Sequence, residues 1–462
     1  MNEEKPNIIY IMSDDHATQA ISCYGSTINH TPNIDRIAEE GMKFERTYCT
    51  NSLCAPSRAT ILTGNYSHFN GVRGLSDSFD GNQQTFPKLM QEDGYQTAII
   101  GKWHLGHGGL SDPAGFDYWN VLPEQGDYYN PKMICQGEEI KTDGYVSDVI
   151  TDDALNWLDG TDKNRPFMLK VHHKAPHRPW DPPRRYENLY EEKIFPTPKN
   201  FNDQYDNRAN AAKMADMRIE DLNERDVKGA PPQGLSKEEI RNWKYQRYIK
   251  DYLRCVKTID DSVGEILDYL KKHNLEDNTI VIYTSDQGFF LGEHGWYDKR
   301  FMYDESLRMP FLIKYPKKIK SKTNTNAMII NNDFAPTLLD FAKIVPKEEM
   351  QGESFRSICQ GELPENWRTT IYYRYWEHLT AHNVPAHYGI RTDNYKLIYY
   401  YGDPLDVKGA IDKKTPPEWE LFDLKKDPTE MNNVYEEPRY ANIVQQLKQE
   451  LSDCRKYYED TQ

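Results

Sequence analysis

The stretch Cys54-Ala-Pro-Ser-Arg58 brings together a thiol, a helix-starting proline and a fixed positive charge. Proline in the first turn of a helix costs no hydrogen bond, because its missing N–H would have no partner there. Pro56 and Ser57 therefore suit a helix entry, with Ser57 to Leu62 forming the first turns. Cys54 then falls just before the helix N-terminus, where free backbone N–H groups and the helix dipole favour an anion. Arg58 adds its charge within about one turn. This combination reads as a nucleophile beside an oxyanion site. The plainer reading is a buried cysteine that packs as a small apolar residue.

Other groups that can do chemistry follow apolar, strand-like runs. Asp14-Asp15 comes after Asn7-Ile-Ile-Tyr-Ile-Met12, and Asp286-Gln287 after Asn278-Thr-Ile-Val-Ile-Tyr-Thr284. Adjacent carboxylates repel unless a cation holds them, and each pair alone is most simply a solvated turn. Together, Asp14, Asp15, Asp286 and Gln287 offer hard oxygen ligands for one divalent cation, Ca2+ or Mg2+ rather than zinc. Lys102 and His104 end the run Tyr95 to Ile100 and share a face in an extended segment. The lysine can offset an anion's charge, and the histidine can move protons. His172, His173 and His177 follow Phe167 to Val171. Prolines around His177 break any helical ligand spacing and no cysteine stands nearby, so a zinc site is not the first choice.

These groups need a scaffold that puts successive strand ends on one edge, which an open α/β sheet provides. Buried parallel strands are expected at 7–12, 95–100, 167–171 and 278–284. Helices are expected from Thr31 as cap and Pro32 as first residue to a glycine stop at Gly41, from Pro87 to Gly94, over 248–270 and over 332–342. Residues 181–240 are polar and rich in Pro, Asn and Asp, as in a long surface excursion. After a charged connection at 343–368 the character changes to short aromatic strands at 371–375, 388–392, 395–401 and 420–423, with a helix over 441–457. The expected division is 1–365 and 366–462.

The composition sets bounds. The 462 residues are 38% apolar and 12% aromatic, enough for sizeable cores. A formal charge of −15 argues against non-specific nucleic-acid binding. The seven cysteines are scattered and odd in number, with no CxxC pair, which disfavours a disulfide framework. No apolar run is long enough to span a membrane. The polar start Met1-Asn-Glu-Glu-Lys-Pro-Asn7 is not a signal peptide. The expectation is a cytoplasmic protein as the chain stands, or a periplasmic or secreted one if an export signal lies outside this sequence.

Cys54-x-Pro-Ser-Arg58 followed by Ala-Thr-Ile-Leu-Thr-Gly64 resembles the maturation motif of type I sulfatases, within the alkaline phosphatase-like superfamily. The resemblance implies an α/β/α sandwich with a smaller C-terminal antiparallel sheet. It implies that a separate maturation enzyme oxidises Cys54 to formylglycine, an aldehyde whose hydrate attacks sulfur. A thiolate would form a sulfur adduct with no way out, whereas the hydrate's second hydroxyl expels sulfate. Asp14, Asp15, Cys54, Asp286 and Gln287 match the metal-ligand positions, with Gln287 where many relatives carry Asn. Gly-Lys102-Trp-His104-Leu-Gly matches the catalytic lysine and histidine. Ala-Pro-His177-x-Pro resembles the histidine facing the leaving-group oxygen, which makes His177 the expected general acid. Asp-Lys299 resembles the second sulfate-binding lysine, with Arg300 as the neighbouring alternative. His172 and His173 are left as structural groups.

The expected substrate is a sulfated carbohydrate. Glu377-His378 and His387-Tyr-Gly-Ile-Arg391 are similar to segments of bacterial sulfatases acting on glycosaminoglycans and mucin-type glycans. They imply Glu377, His378, His387 and Arg391 as sugar contacts, with His294 as a further one. Several such enzymes are N-acetylglucosamine-6-sulfatases, which points to a 6-O-sulfated hexosamine. A 2-O-sulfated uronate, an aryl sulfate, a phosphonate monoester or phosphodiester hydrolase of the same fold, and a non-catalytic glycan-binding module are the alternatives.

Overall fold

The computed structural model describes residues 4–462, so the first three residues of the polar amino-terminal stretch lie outside the described part. The run Ile8 to Met12 has no charged or amide side chain to show to water, and it forms the centre of the main sheet. The strand Asn7–Ser13 is buried along its whole length. It runs parallel to Phe167–His172 on one side and to Thr279–Ser285 on the other. Gln96–Lys102 and then Tyr118–Leu122 continue the parallel order beyond Phe167–His172. On the far side Arg308–Lys314 is antiparallel to both Thr279–Ser285 and Met42–Tyr48. The whole forms an eleven-stranded mixed sheet. Helices Pro32–Glu39, Val146–Asp159 and Lys237–Lys272 pack together as one layer, and Cys54–Thr63, Phe86–Glu92 and Phe334–Ala342 as the other.

Parallel strands share a carboxyl edge, where ligands bind in open α/β sheets. Ser13 pairs with Ser285, so Asp14 and Asp286 leave the sheet side by side. Met12 and Gly101 both pair with His172, which brings Lys102 and the loop leading to His177 to the same edge.

Several local expectations are corrected. Cys54 is the first residue of its helix, with Leu53 as N-cap, rather than the residue before it. The Thr31 hydroxyl accepts from the Ser22 N–H at 3.0 Å instead of capping its helix. Gly41 has no left-handed backbone; a Cβ there would collide with the Ile313 carbonyl oxygen, so its use is close strand approach. Gly94, at φ +93°, does provide a left-handed stop. The long helix begins at Lys237, within the expected excursion, because Ser236 and Glu239 form a capping box. The excursion also buries Phe195, Phe201 and Tyr205. The helix Val146–Asp159 and the hairpin Lys132–Cys135 with Glu138–Lys141 were not expected.

The second sheet is antiparallel, in the order Thr370–Tyr375, His387–Thr392, Tyr395–Tyr400, Glu418–Asp423. Helix Ala441–Tyr457 packs on its first three strands. The seven cysteines are free. Among the described residues no helix is long and apolar enough to cross a membrane.

Candidate active site

The helix Cys54–Thr63 is buried on every side and points its N-terminus at the carboxyl edge of the main sheet. The Cys54 thiol lies 3.4 Å from Asp14 Oδ1. Burial pushes this thiol far above its usual range, the Lys299 ammonium opposes it, and Asp286 and Asp15 push further. The unmodified thiol is therefore protonated at neutral pH and a poor nucleophile.

Asp14, Asp15 and Asp286 each offer a carboxylate oxygen within 4.8 Å of the others, all buried. Burial pushes the Asp15 carboxyl up to about 7, although Lys299 pulls it down. Three buried carboxylates in one place are costly without positive charge between them. Lysines supply part of it. Lys102 pairs with Asp14, and Lys299 holds both oxygens of Asp15 at 2.7 and 2.8 Å. The Gln287 amide donates to Asp15, which leaves its carbonyl oxygen buried without a partner. An orphaned carbonyl oxygen beside three carboxylates is a donor set that suits a hard divalent cation. Cys54, expected as a fifth ligand, lies at the edge of this group in a second cluster with Asp14 and His177.

Arg58 differs from its expected use. Its Nη2 donates to Asp286 Oδ2 at 2.9 Å, and Nη1 to the Lys102 carbonyl oxygen at 2.8 Å. Only Nε lacks a partner. The guanidinium thus braces the carboxylate cage against the end of the strand Gln96–Lys102 rather than standing open to a substrate anion.

His177 Nδ1 lies 2.7 Å from the Arg178 carbonyl oxygen, so this nitrogen carries the proton and donates. Nε2 then faces the cage, 3.8 Å from Asp15 Oδ2. Burial first, then Lys102, Lys299 and Lys174, hold the imidazole well below its usual pKa. His104 is held low for the same reasons, burial and then Lys102. Between His104 and Lys102 stands Gln125, which the sequence reading missed. Lysine can only donate, so the Gln125 carbonyl oxygen faces Lys102 at 2.5 Å and its NH2 faces His104 Nε2 at 3.2 Å. His104 Nε2 is therefore an acceptor. His172 and His173 are structural: His172 Nδ1 meets the Lys102 carbonyl oxygen at 3.1 Å, and His173 Nε2 meets Ser262 Oγ at 3.0 Å.

The expected sugar contacts each have protein partners for part or all of their polar atoms, while His294 Nε2 and His387 Nε2 are buried without one. His294 is fully buried, with Asp203 on Nδ1 at 2.9 Å. His378 is fully buried, with the Ala386 N–H on one ring nitrogen and the Lys413 carbonyl on the other. His387 is enclosed by Phe301, Tyr373, Tyr375 and Tyr400. Arg391 forms a two-pronged pair with Asp304 at 3.0 and 2.9 Å. Glu377 accepts from Leu75 N–H and binds Arg300. Arg300, the alternative to Lys299, is engaged by Tyr375 and Glu377.

An α/β/α sandwich with a helix N-terminus, a carboxylate cage and two buried lysines on its carboxyl edge defines a hydrolase of the alkaline phosphatase-like superfamily. The sulfatase family profile matches residues 6–344, and the profile described as N-sulphoglucosamine sulphohydrolase, C-terminal, matches 292–457. The chain belongs to the sulfatase family and is a sulfuric ester hydrolase. It is 44% identical to an N-acetylglucosamine-6-O-sulfatase of Bacteroides thetaiotaomicron, over 99% of this chain and 87% of that protein. It is 28% identical to the N-acetylglucosamine-6-sulfatase of Capra hircus, over 80% of this chain and 66% of that one. The solved structure of BT4656 in complex with its substrate, D-glucosamine-2-N,6-O-disulfate, superposes with a TM-score of 0.93 at 44% identity, covering 99% of each chain. Members of the family generally use formylglycine and a divalent metal.

Proposed function

We propose that this enzyme removes the 6-O-sulfate of an N-acetylated or N-sulfated glucosamine, with Cys54 as the formylglycine precursor and Ca2+ as the cation, Mg2+ being the alternative. The observation that carries the substrate is the 44% identity over nearly the whole chain to a protein named for that reaction. Asp14, Asp15, Asp286 and the free Gln287 carbonyl oxygen would hold the cation, which supplies positive charge for sulfate oxygens. Hydrated formylglycine supplies one hydroxyl to attack sulfur and a second whose deprotonation lets sulfate leave.

The remaining work falls to this chain's own side chains. Lys102 and Lys299 bring positive charge to the sulfate, in a buried setting where charge counts for more than in water. Arg58 keeps Asp286 and the end of the Lys102 strand in fixed relation. His177, anchored through Nδ1, presents Nε2 to the sugar oxygen and protonates it as the bond breaks. Burial and then the neighbouring ammonium groups hold His177 neutral, and an arriving sulfate anion offsets the ammonium part, which raises the proton affinity of Nε2. His104, kept neutral with Nε2 as its acceptor nitrogen, accepts a proton there in the release step once the Gln125 NH2 gives up that lone pair.

The test is peptide mass spectrometry over Cys54 after co-production with a maturation enzyme, followed by sulfate release from a panel of sulfated sugars. The expected result is conversion of the thiol to the aldehyde and turnover of N-acetylglucosamine-6-sulfate, with turnover lost in Cys54→Ala. Aldehyde formation with turnover confined to a 2-O-sulfated uronate or an aryl sulfate would overturn the sugar assignment. Metal analysis of the purified enzyme distinguishes Ca2+ from Mg2+.

A further inference from the structure

Lys299 sits between two residues with left-handed backbones, Asp298 at φ +75° and Arg300 at φ +89°. Neither is glycine, and such conformations persist only where the surroundings enforce them. The enforcing contacts come from the small sheet. The Tyr373 hydroxyl donates to the Arg300 carbonyl oxygen at 2.7 Å and accepts from the Ser52 N–H at 3.1 Å. Arg300 Nη1 donates to Tyr375 at 3.1 Å and to Glu377 at 3.2 Å. On the other flank His382 Nε2 meets Asp298 Oδ2 at 3.2 Å, while Asp298 Oδ1 accepts from the Lys299 N–H at 2.8 Å.

One hydroxyl of the small sheet thus ties the loop before Cys54 to the segment that carries Lys299. We propose that the small sheet is a positioning device for the sulfate site: Tyr373, Glu377 and His382 hold the strained segment Asp298–Arg300 so that Lys299 meets the anion bound beside Cys54. The proposal rests on the reading of Lys299 as a sulfate-binding residue. It gives Glu377 a role through Arg300, not through the sugar. It also gives a reason for the appended sheet: the main sheet's edge holds the Lys299 ammonium through Asp15, while the backbone on either side of Lys299 is held from the small sheet and the loop after its first strand.

Two variants test it. Tyr373→Phe removes only the bridging hydroxyl, and His382→Ala removes a largely buried side chain on the opposite flank. Single-turnover rates on N-acetylglucosamine-6-sulfate would be measured in the matured enzyme and again in a Lys299→Ala background, with inhibition by desulfated N-acetylglucosamine measured alongside. Misplacing a charged group by about 1 Å can cost on the order of 100-fold. The expected result is a loss of about 10- to 100-fold for each variant that shrinks to under about threefold once Lys299 is absent, with inhibition by the desulfated sugar unchanged. A loss of the same size in both backgrounds overturns the proposal. Weakened inhibition by the sugar also overturns it, because it marks these residues as sugar contacts. Full turnover by Lys299→Ala alone refutes the underlying role of Lys299, an outcome separate from failure of the positioning idea.

Discussion

Gln125 touches Lys102 with its oxygen and His104 with its nitrogen, and this orientation follows from lysine having no acceptor. Replacing it by glutamate keeps the partner of Lys102 but turns a donor into an anion beside His104. A nearby carboxylate favours the imidazolium, so the His104 pKa would rise from its depressed position. In the native enzyme His104 is neutral throughout the working range, whereas in Gln125→Glu it stays protonated to higher pH and cannot accept a proton. The expected outcome is a kcat lowered about tenfold or more near pH 6 and recovering as pH rises, checked by a pH–rate profile of both proteins. A uniform loss across pH would instead mean that only Lys102 had been disturbed. Nothing in the sequence singled out Gln125, which lies in an irregular loop more than twenty residues from Lys102. By contrast Asp14, Asp15, Lys102 and Asp286 could be read, because each directly follows or ends a buried strand.

At the scale of elements, the site depends on the strand Gln96–Lys102 ending where it does. Gly101 has φ +104°, and a Cβ there would collide with the His172 carbonyl oxygen, a backbone atom that cannot swing away. Gly101→Ala combines a forbidden backbone with an overlap, for an expected cost of about 2–3 kcal/mol, and it shifts Lys102 as well. A lowered urea midpoint together with reduced turnover is expected; unchanged values for both would mean that the two strands part without consequence. The parallel strands were foreseen from continuous apolar runs, since no other common element of that length hides both faces. The helix Val146–Asp159 escaped notice although Val146, Ile150, Ala154 and Leu158 recur at helical spacing and are buried. Its polar residues between them, including three aspartates, mask the stripe. The surroundings of the five expected sugar contacts were hidden for a different reason. Type and order in a sequence do not reveal that Asp304, Asp203 or four aromatic rings have already taken those side chains.

At the scale of the whole molecule, the catalytic sheet and the small sheet act as one body because the last residues are tied between them. Asp460 is paired with Arg374 and bonded by the Tyr372 hydroxyl, both on the first strand of the small sheet, while Tyr458 packs on Tyr66, which follows the Cys54 helix. Burial alone would raise the Asp460 carboxyl, but the Arg374 charge and the hydrogen bonds outweigh it and hold the pKa below the usual value. The folded form therefore binds the proton less tightly than the unfolded form. The stabilisation is whole above the unfolded carboxylate pKa of about 3.9 and is lost as pH falls through the lower folded value. Asp460→Asn leaves Arg374 buried without its counter-charge, for an expected cost of about 3 kcal/mol at neutral pH. Hydrogen exchange along Thr370–Tyr375 should speed up in the variant at pH 7, and the difference from the native protein should narrow below about pH 4. Because Tyr373 lies on that same strand, the variant should also lose turnover at neutral pH. Faster exchange with turnover intact would show that the small sheet can loosen without releasing Lys299. That result would separate the fold's need for this anchor from the active site's.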